Sequence, residues 1–334
     1  MRTLEKAKII FLGDVSFSGQ NANSLHFVDN ELRNTFNSAD AVICNFESTF
    51  TTEENPDLFQ SPSSKAVLLK EAGITHAIVA NNHIYDYGYE GLENTISVLK
   101  SAGIEPLGLK KLRGIDQQVI ALTIKGIKLG LLCSGWTRVR QDPKSPDVYW
   151  EYDEAGITAA IREFNPRFDH LLVVCHRGKM FVEYPTPSDK TAFRSYLNLG
   201  ASAVIAHHPH VAQGVSFTGN KLIAYSLGNF FFDSTEGHVQ SKYSKEKQDL
   251  GLAVEVCLTK EMLQEYQLIP IKRTDDLGVV KLASAESSKV LKAIDRVSSN
   301  TSKALVHRIL FYWQYLRYVV PHFLLVFWKH NIKS

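Results

Sequence analysis

The sequence predicts a mixed α/β protein in which β-sheets pack together as a sandwich covered by helices. Three observations carry this. Short Val/Ile/Leu-rich runs alternate with longer helix-like segments from the N-terminus to about Leu258, as expected of strands buried on both faces. Lys125-Gly126 sits between two alternating runs and signals a hairpin, so the sheets are mixed and not purely parallel. No Gly-rich phosphate loop of the GxGxxG or Walker type follows any strand, which removes the case for a dinucleotide-binding sheet.

Taken in order, the apolar runs place strands at 7–12, 41–45, 76–80, 119–124, 128–133, 170–175, 203–206, 222–226 and 252–258. A helix is expected over 90–102, where Leu92, Ile96 and Leu99 share a face and Gly103 ends the run. A second is expected over 188–199, ended by Gly200. The polar, aperiodic stretch 234–247 reads as an exposed loop beside the site. We divide the chain into a main domain over 1–275 and a basic, aromatic helical extension over 276–334. Within that extension, 304–328 is rich in aliphatic and aromatic residues, and no Asp or Glu follows Asp295. Pro321 and His322 leave apolar pieces shorter than the ~20 residues of a spanning helix. Two readings stay open: a helix docked on the core or a partner subunit, or a helix lying peripherally on a membrane surface.

Composition narrows the classes. With 334 residues, 44% hydrophobic and 22% charged, the chain is neither disordered, collagenous nor a multi-span membrane protein. A formal net charge of +2 offers no electrostatic argument for a nucleic-acid partner, and none is expected. Cys44, Cys133, Cys175 and Cys257 lie in apolar runs without metal-type spacing, so they read as reduced, buried thiols. Lys6 and Lys8 lead into only Ile9, Ile10, Phe11 and Leu12 before Gly13-Asp14, too short for the apolar stretch of a secretion signal. The expectation is a cytoplasmic protein.

The chemistry sits where successive strands end. Asp14 follows one apolar run, Asn45 and Glu47 a second, Asn82 and His83 a third, His176 a fourth, and His208 and His210 a fifth. Strand C-terminal ends are where α/β sheets gather ligand sites. Carboxylates, imidazoles and an amide oxygen make a mixed donor set suited to Zn, Mn or Fe. Two ions would need a bridging carboxylate, for which Glu47 is the candidate, and His83 is placed to handle the leaving group. Each residue alone has an ordinary reading: Asp14 as turn chemistry, Asn81-Asn82 as a cap, the 207–210 imidazoles as solvated side chains. Their joint recurrence at strand ends favours a site.

On these residues the chain resembles the bacterial capsule synthesis CapA family, also called the poly-γ-glutamate capsule biosynthesis domain, within the calcineurin-like metallophosphoesterases. The matching pieces are Phe11-Leu-Gly-Asp14, Asn45-Phe-Glu47, Asn81-Asn-His-Ile-Tyr-Asp86-Tyr-Gly88, His208-Pro-His210-Val211 with Gln213, and Tyr225-Ser-Leu-Gly-Asn229-Phe230. The resemblance implies a calcineurin-like metallophosphatase sandwich of two mixed sheets flanked by helices. It implies one or two divalent ions on Asp14, Glu47, Asn82, His176, His208 and His210, with His83 as the proton-handling catalytic group. Asn229 would lie in the neighbouring loop, holding the Gly228 turn. Ser16 stands where such enzymes usually carry a second-position His, and Met180 where this family commonly has an acid. Arg177 and Lys179, beside Met180, suit an anionic ligand; Asn45, Arg177 and Asn229 are the substrate candidates. The implied function is metal-dependent hydrolysis of a phosphoester or related bond in making a capsule polymer, or else a non-catalytic accessory role. The implied partners are an anionic polymer or phosphorylated precursor and the subunits of a capsule synthase.

Overall fold

The computed structural model describes residues 5–18, 27–52, 58–109, 111–112, 115–116, 119–135, 150–151, 153–233, 246–274 and 278–320. The chain first lays down four parallel strands of one sheet: Ala7–Ser16 (β1), Ala41–Phe46 (β2), His76–Ile78 (β3) and Glu105–Leu107 (β4). It then builds a second sheet from Ile120–Ile124 (β5), Ile127–Gly135 (β6), Trp150–Glu151 (β7), His170–His176 (β8), Ala203–His207 (β9), Val215–Thr218 (β10) and Lys221–Ala224 (β11). Asn229–Phe232 (β12), Leu250–Leu258 (β13), Leu263–Arg273 (β14) and Val279–Lys281 (β15) return to the first. The strand orders are β15-β14-β13-β1-β2-β3-β4, with β12 beside the end of β1, and β7-β6-β8-β9-β11-β10, with β5 on β6. Both sheets mix parallel and antiparallel pairs, as the hairpin predicts: Lys125 and Gly126 adopt φ of 49° and 75°, the two left-handed residues of a tight turn between β5 and β6.

Helices cover the outer faces. Asn30–Asn37 (α1), Ala66–Glu71 (α2) and Gly88–Ser101 (α3) flank the first sheet, and Glu154–Phe164 (α4) and Pro187–Asn198 (α5) the second. Strand parity sorts the core. On β8 and β9, Leu172, Val174, Ala203 and Ile205 face the first sheet, while Leu171, Val173, Cys175, Val204 and Ala206 pack with α4 and α5. Two cores therefore lie one on each side of the second sheet. Cys44, Cys133 and Cys175 are buried thiols as expected, and Cys257 is half-buried.

The expected strands and both expected helices are present, with ends shifted by at most two residues except in the first strand, which runs four residues further, to Ser16. The strands β4, β7, β10, β12, β14 and β15 were not anticipated. They are short, or, like β14 with its alternating half-exposed residues and Pro270, lack a continuous apolar run. The expected loop at 234–247 lies outside the described residues except for Glu246 and Lys247. So does the expected domain boundary between 275 and 276; the first sheet continues beyond it, with β15 paired on β14.

The C-terminal helices Ser284–Ser302 (α6) and Ala304–Gln314 (α7) seat one face on the body, and a π-helical turn follows at Tyr315–Val319. Val297, Phe311 and Val319 pack against Val182 and Tyr184. Gln314 accepts from the Glu183 backbone N–H at 2.9 Å and donates to the Glu183 carboxylate at 2.9 Å, while His307 Nε2 meets the Pro185 carbonyl at 2.8 Å. Among the described residues no helix is long and apolar enough to cross a membrane. The rest of the basic, aromatic segment, 321–334, lies outside the described residues. Gln314→Leu leaves the Glu183 N–H without its acceptor, while the Glu183 carboxylate keeps Lys247, so urea unfolding of that variant should show a loss of about 1 kcal/mol. An unchanged midpoint would mean the clamp is not stabilising.

Candidate metal centre

The site forms where the facing series of the two sheets run out of apolar residues. His176 continues Leu172 and Val174, and His207 continues Ala203 and Ile205; the two histidines are register partners across β8 and β9. Opposite them, Asn229, Asp14 and Asn45 form a row across β12, β1 and β2. Between Phe11 and Asp14 the register of β1 against β2 slips, placing Asp14 in that row. The slip needs Gly13: a Cβ there would lie 2.1 Å from the Gly228 carbonyl oxygen, which also accepts from the Asp14 N–H at 3.0 Å.

Asp14, Asn45 and Glu47 are fully buried, and Asn82, His83, His176, His207, His208 and His210 nearly so. Asn45 Nδ2 donates to Asp14 Oδ1 at 2.8 Å and lies 3.1 Å from His176 Nδ1. That leaves His176 Nε2 facing Asn82 Oδ1 at 2.6 Å, His208 Nδ1 at 3.2 Å and Glu47 Oε1 at 3.3 Å. His210 spans the other side, with Nδ1 3.5 Å from Asp14 Oδ2 and Nε2 3.7 Å from Glu47 Oε1. Two triads result, Asp14–Glu47–His176 and Glu47–His208–His210, each with donor atoms within 4.8 Å of one another. They share Glu47.

His208 and His210 adopt φ of 94° and 57°, unusual for residues with a side chain. Strain of this kind, of order 1–3 kcal/mol per residue, is typical of ligand-holding loops. It also brings His208 to the crevice directly after His207, which an extended strand would forbid. On the opposite wall, Asn81 ties the 81–83 turn to β2, donating to the Phe46 carbonyl at 2.7 Å and accepting from the His83 N–H at 3.2 Å. Asp86 Oδ2 holds His83 Nδ1 at 2.7 Å, which turns Nε2 to within 3.9 Å of Glu47 Oε1. Phe59 packs edge-on against the His83 ring with centroids 4.0 Å apart.

Electrostatics favour the ligand forms. Burial pushes His176 down to about 4, only partly opposed by Asp14, and holds His208 well below the usual imidazole range, helped by the neighbouring histidines. Both rings therefore keep their lone pairs at neutral pH. Burial alone would raise the Asp14 carboxyl; the His207 hydrogen bond and the electrostatic pull of the surrounding imidazoles, His207 first, outweigh it and hold the group well below the usual carboxylate range. Asp14 as an ionised carboxylate and His176 and His208 as neutral imidazoles, joined by Glu47, Asn82 and His210, fit a divalent cation by the chemistry of the donor set.

All six expected ligands and His83 thus meet in one crevice. Asn45 meets them too, hydrogen-bonded to Asp14 and His176. Asn229 Oδ1 accepts from His210 Nδ1 at 3.0 Å, and its Nδ2 donates to the Gln248 carbonyl at 3.2 Å. The Gly228 turn expected of it is instead held by the Ser226 hydroxyl, at 3.1 Å from the Gly228 nitrogen. Arg177 is not brought in. As the outward neighbour of His176, it turns to α4 and α5, with Nη2 2.5 Å from Asp189 Oδ1 and Nη1 3.6 Å from Glu154 Oε2. Ser16 is buried with its hydroxyl 2.6 Å from that of Ser18, and Lys179 Nζ lies 6.0 Å from the Tyr315 ring centre. Sequence reasoning missed His207, Asn81 and Asp86 as site residues. His207 Nδ1 stands 3.3 Å from Asp14 Oδ1, and strand parity with His176 was the signal that could have found it.

Two mixed sheets flanked by helices, with acids and imidazoles at their facing ends, define the calcineurin-like metallophosphoesterase fold. A Staphylococcus aureus protein assigned as a 5'-nucleotidase, in complex with alpha-ketoglutarate, shares it with a TM-score of 0.51 at 12% identity, over 87% of this chain and 58% of that one. Within that fold the chain belongs to the bacterial capsule synthesis protein PGA_cap family, whose model matches residues 8–234. It is 26% identical to the capsule biosynthesis protein CapA of Bacillus anthracis over 73% of this chain and 63% of that protein. With the PGA biosynthesis protein CapA of Bacillus subtilis it shares 27% identity, over 59% of this chain and 54% of the relative. A Mycobacterium tuberculosis protein assigned as a polyglutamine synthesis accessory protein is 22% identical over 83% of this chain and 77% of its own. The chain spans less than two thirds of the length of the two Bacillus relatives.

Proposed function

We propose that the crevice holds one or two divalent ions, Mn, Zn or Fe, and hydrolyses a phosphoester or related bond in a capsule polymer or its phosphorylated precursor. The single observation behind this is the pair of donor triads sharing Glu47. Asp14 and His176 would hold one ion and His208 and His210 the other, with Asn82 at the first. Bound there, a cation supplies Lewis acidity toward a phosphoryl oxygen and acidifies a water. His83 acts from the opposite wall: Asp86 holds its Nδ1, which turns Nε2 toward the crevice and Glu47, where it would give a proton to a departing oxygen. Asn45 and Asn229 act as positioning residues for Asp14, His176 and His210, a more specific role than the substrate contact expected of them.

The test is metal content by mass spectrometry, followed by hydrolysis of bis(p-nitrophenyl) phosphate with added Mn. Turnover that disappears in Asp14→Ala and His83→Ala supports the proposal; turnover that persists in both removes it. Asp86→Asn should lower kcat by roughly 10–100-fold with little change in KM, and move the alkaline limb of the pH–rate profile to lower pH, because a proton donor acts only while protonated and the Asp86 carboxylate favours the protonated ring. An unaltered profile would show that Asp86 only packs.

A second reading, an accessory subunit that binds metal and polymer without turnover, is favoured by Ser16, whose hydroxyl bonds Ser18 where an imidazole would add a ligand. Metal retention without any hydrolysis would select it. Under either reading the proposed partners are an anionic polymer or precursor, the subunits of a capsule synthase, and a membrane reached peripherally through the C-terminal segment.

A further inference from the structure

Eight large apolar side chains are exposed among the described residues, and six of them belong to one short stretch: Leu305, Val306, Ile309, Tyr312, Trp313 and Leu316. Leu305, Ile309, Tyr312 and Leu316 follow one another at spacings of four, three and four, which puts them on one stripe of α7 and the turn after it. Ile309 is 59% and Leu316 64% exposed. The stripe cannot turn inward, because the opposite face of the same helix is committed: His307, Phe311 and Gln314 are buried against 182–185.

Charge identifies what the stripe faces. Arg308 lies one turn from Leu305 and Tyr312, and Arg317 one turn from Trp313, its guanidinium carbon 4.9 Å from the Trp313 ring centre and 5.5 Å from that of Tyr318. From residue 296 to the end the sequence has Arg296, Lys303, Arg308, Arg317, Lys329 and Lys333 and no acid. A one-sign field around an apolar stripe bordered by Trp and Tyr matches an anionic lipid surface, where the aromatic rings sit at headgroup depth and the cations meet phosphates.

We propose that the outer face of α7 seats the protein on a membrane rich in anionic lipid, lying in the interface plane. The proposal rests on the membrane reading of the C-terminal segment made above, and it is independent of whether the crevice hydrolyses anything. Binding strength then adds apolar burial to cation–headgroup attraction. Loss of either component should be visible separately.

The experiment is co-sedimentation of the full chain with vesicles of phosphatidylglycerol and phosphatidylcholine, and with phosphatidylcholine alone. The proposal expects binding to the anionic vesicles only, weakened by salt. Ile309→Glu with Leu316→Glu, and separately Arg308→Gln with Arg317→Gln, should each weaken it roughly tenfold or more. All four positions are exposed, and thermal melts verify that both variants stay folded. Three results overturn it: no binding of the unaltered chain, equal binding by the variants, or a fall in sedimentation coefficient in the Ile309/Leu316 variant, which would assign the face to a second copy. Metal content and phosphodiester hydrolysis, measured without vesicles, report on the crevice alone, so failure here and failure there are distinguishable.

Discussion

Glu47→Gln should empty the metal centre as a whole, whereas His210→Ala should weaken only one half of it. Glu47 is the residue common to both donor triads, is fully buried, and approaches His176, His210 and His83 through the same oxygen at 3.3, 3.7 and 3.9 Å. The amide keeps shape and volume but removes the negative charge that a pair of cations would share. Altering residues that merely orient ligands already lowers affinity by about 10–100-fold, so loss of a shared ligand should exceed that range at both positions. Mass spectrometry of dialysed protein should find Glu47→Gln close to metal-free, His210→Ala retaining part of the complement, and circular dichroism unchanged in both. Wild-type metal content in Glu47→Gln would show that no ion depends on it.

Gly13→Ala should be among the most destabilising single changes in the protein, although it adds one methyl and no charge. That methyl would stand 2.1 Å from the Gly228 oxygen, 2.9 Å from its carbon and 3.0 Å from the Asn229 carbonyl carbon, all backbone atoms that cannot rotate away. Relief requires separating β1 from β12, which breaks the Asp14 N–H bond to Gly228 and displaces the Asp14–Asn229 pair. Overpacking typically costs about 1–3 kcal/mol, and a clash against fixed backbone belongs at or above the top of that range. Urea unfolding should show this loss, together with weaker metal retention, because the same shift moves Asp14. At Gly126, where nothing lies within 4 Å of the added atom, Asn should be tolerated with little change, since Asn adopts the left-handed φ of that turn. Wild-type stability in Gly13→Ala would mean that the two strands separate freely.

These residues also show which parts of the architecture are legible in a chain of letters. β1 over 9–12 and β8 over 171–175 are continuous apolar runs, because both faces are buried there, and the helices announce themselves through Leu92, Ile96 and Leu99 and through the glycines at their ends. Asp14, Glu47, Asn82, His83, His176, His208 and His210 were legible because a polar residue ending a buried strand has no apolar environment to satisfy it. The strands β12 and β15 were not, since each is defined by a partner far away in sequence and not by its own pattern.

Local order determined the donor types, their positions at strand ends and the likeness to one family. Direction was decided only by the tertiary structure. Consecutive strand residues point to opposite faces, so His176 enters the crevice and Arg177 leaves it for Asp189, whereas the left-handed backbone of His208 lets His207 and His208 enter together. Pairing β8 with β9 and β1 with both β2 and β12 set two polar rows face to face, and the contact between those rows, not either one alone, makes Glu47 a shared ligand candidate.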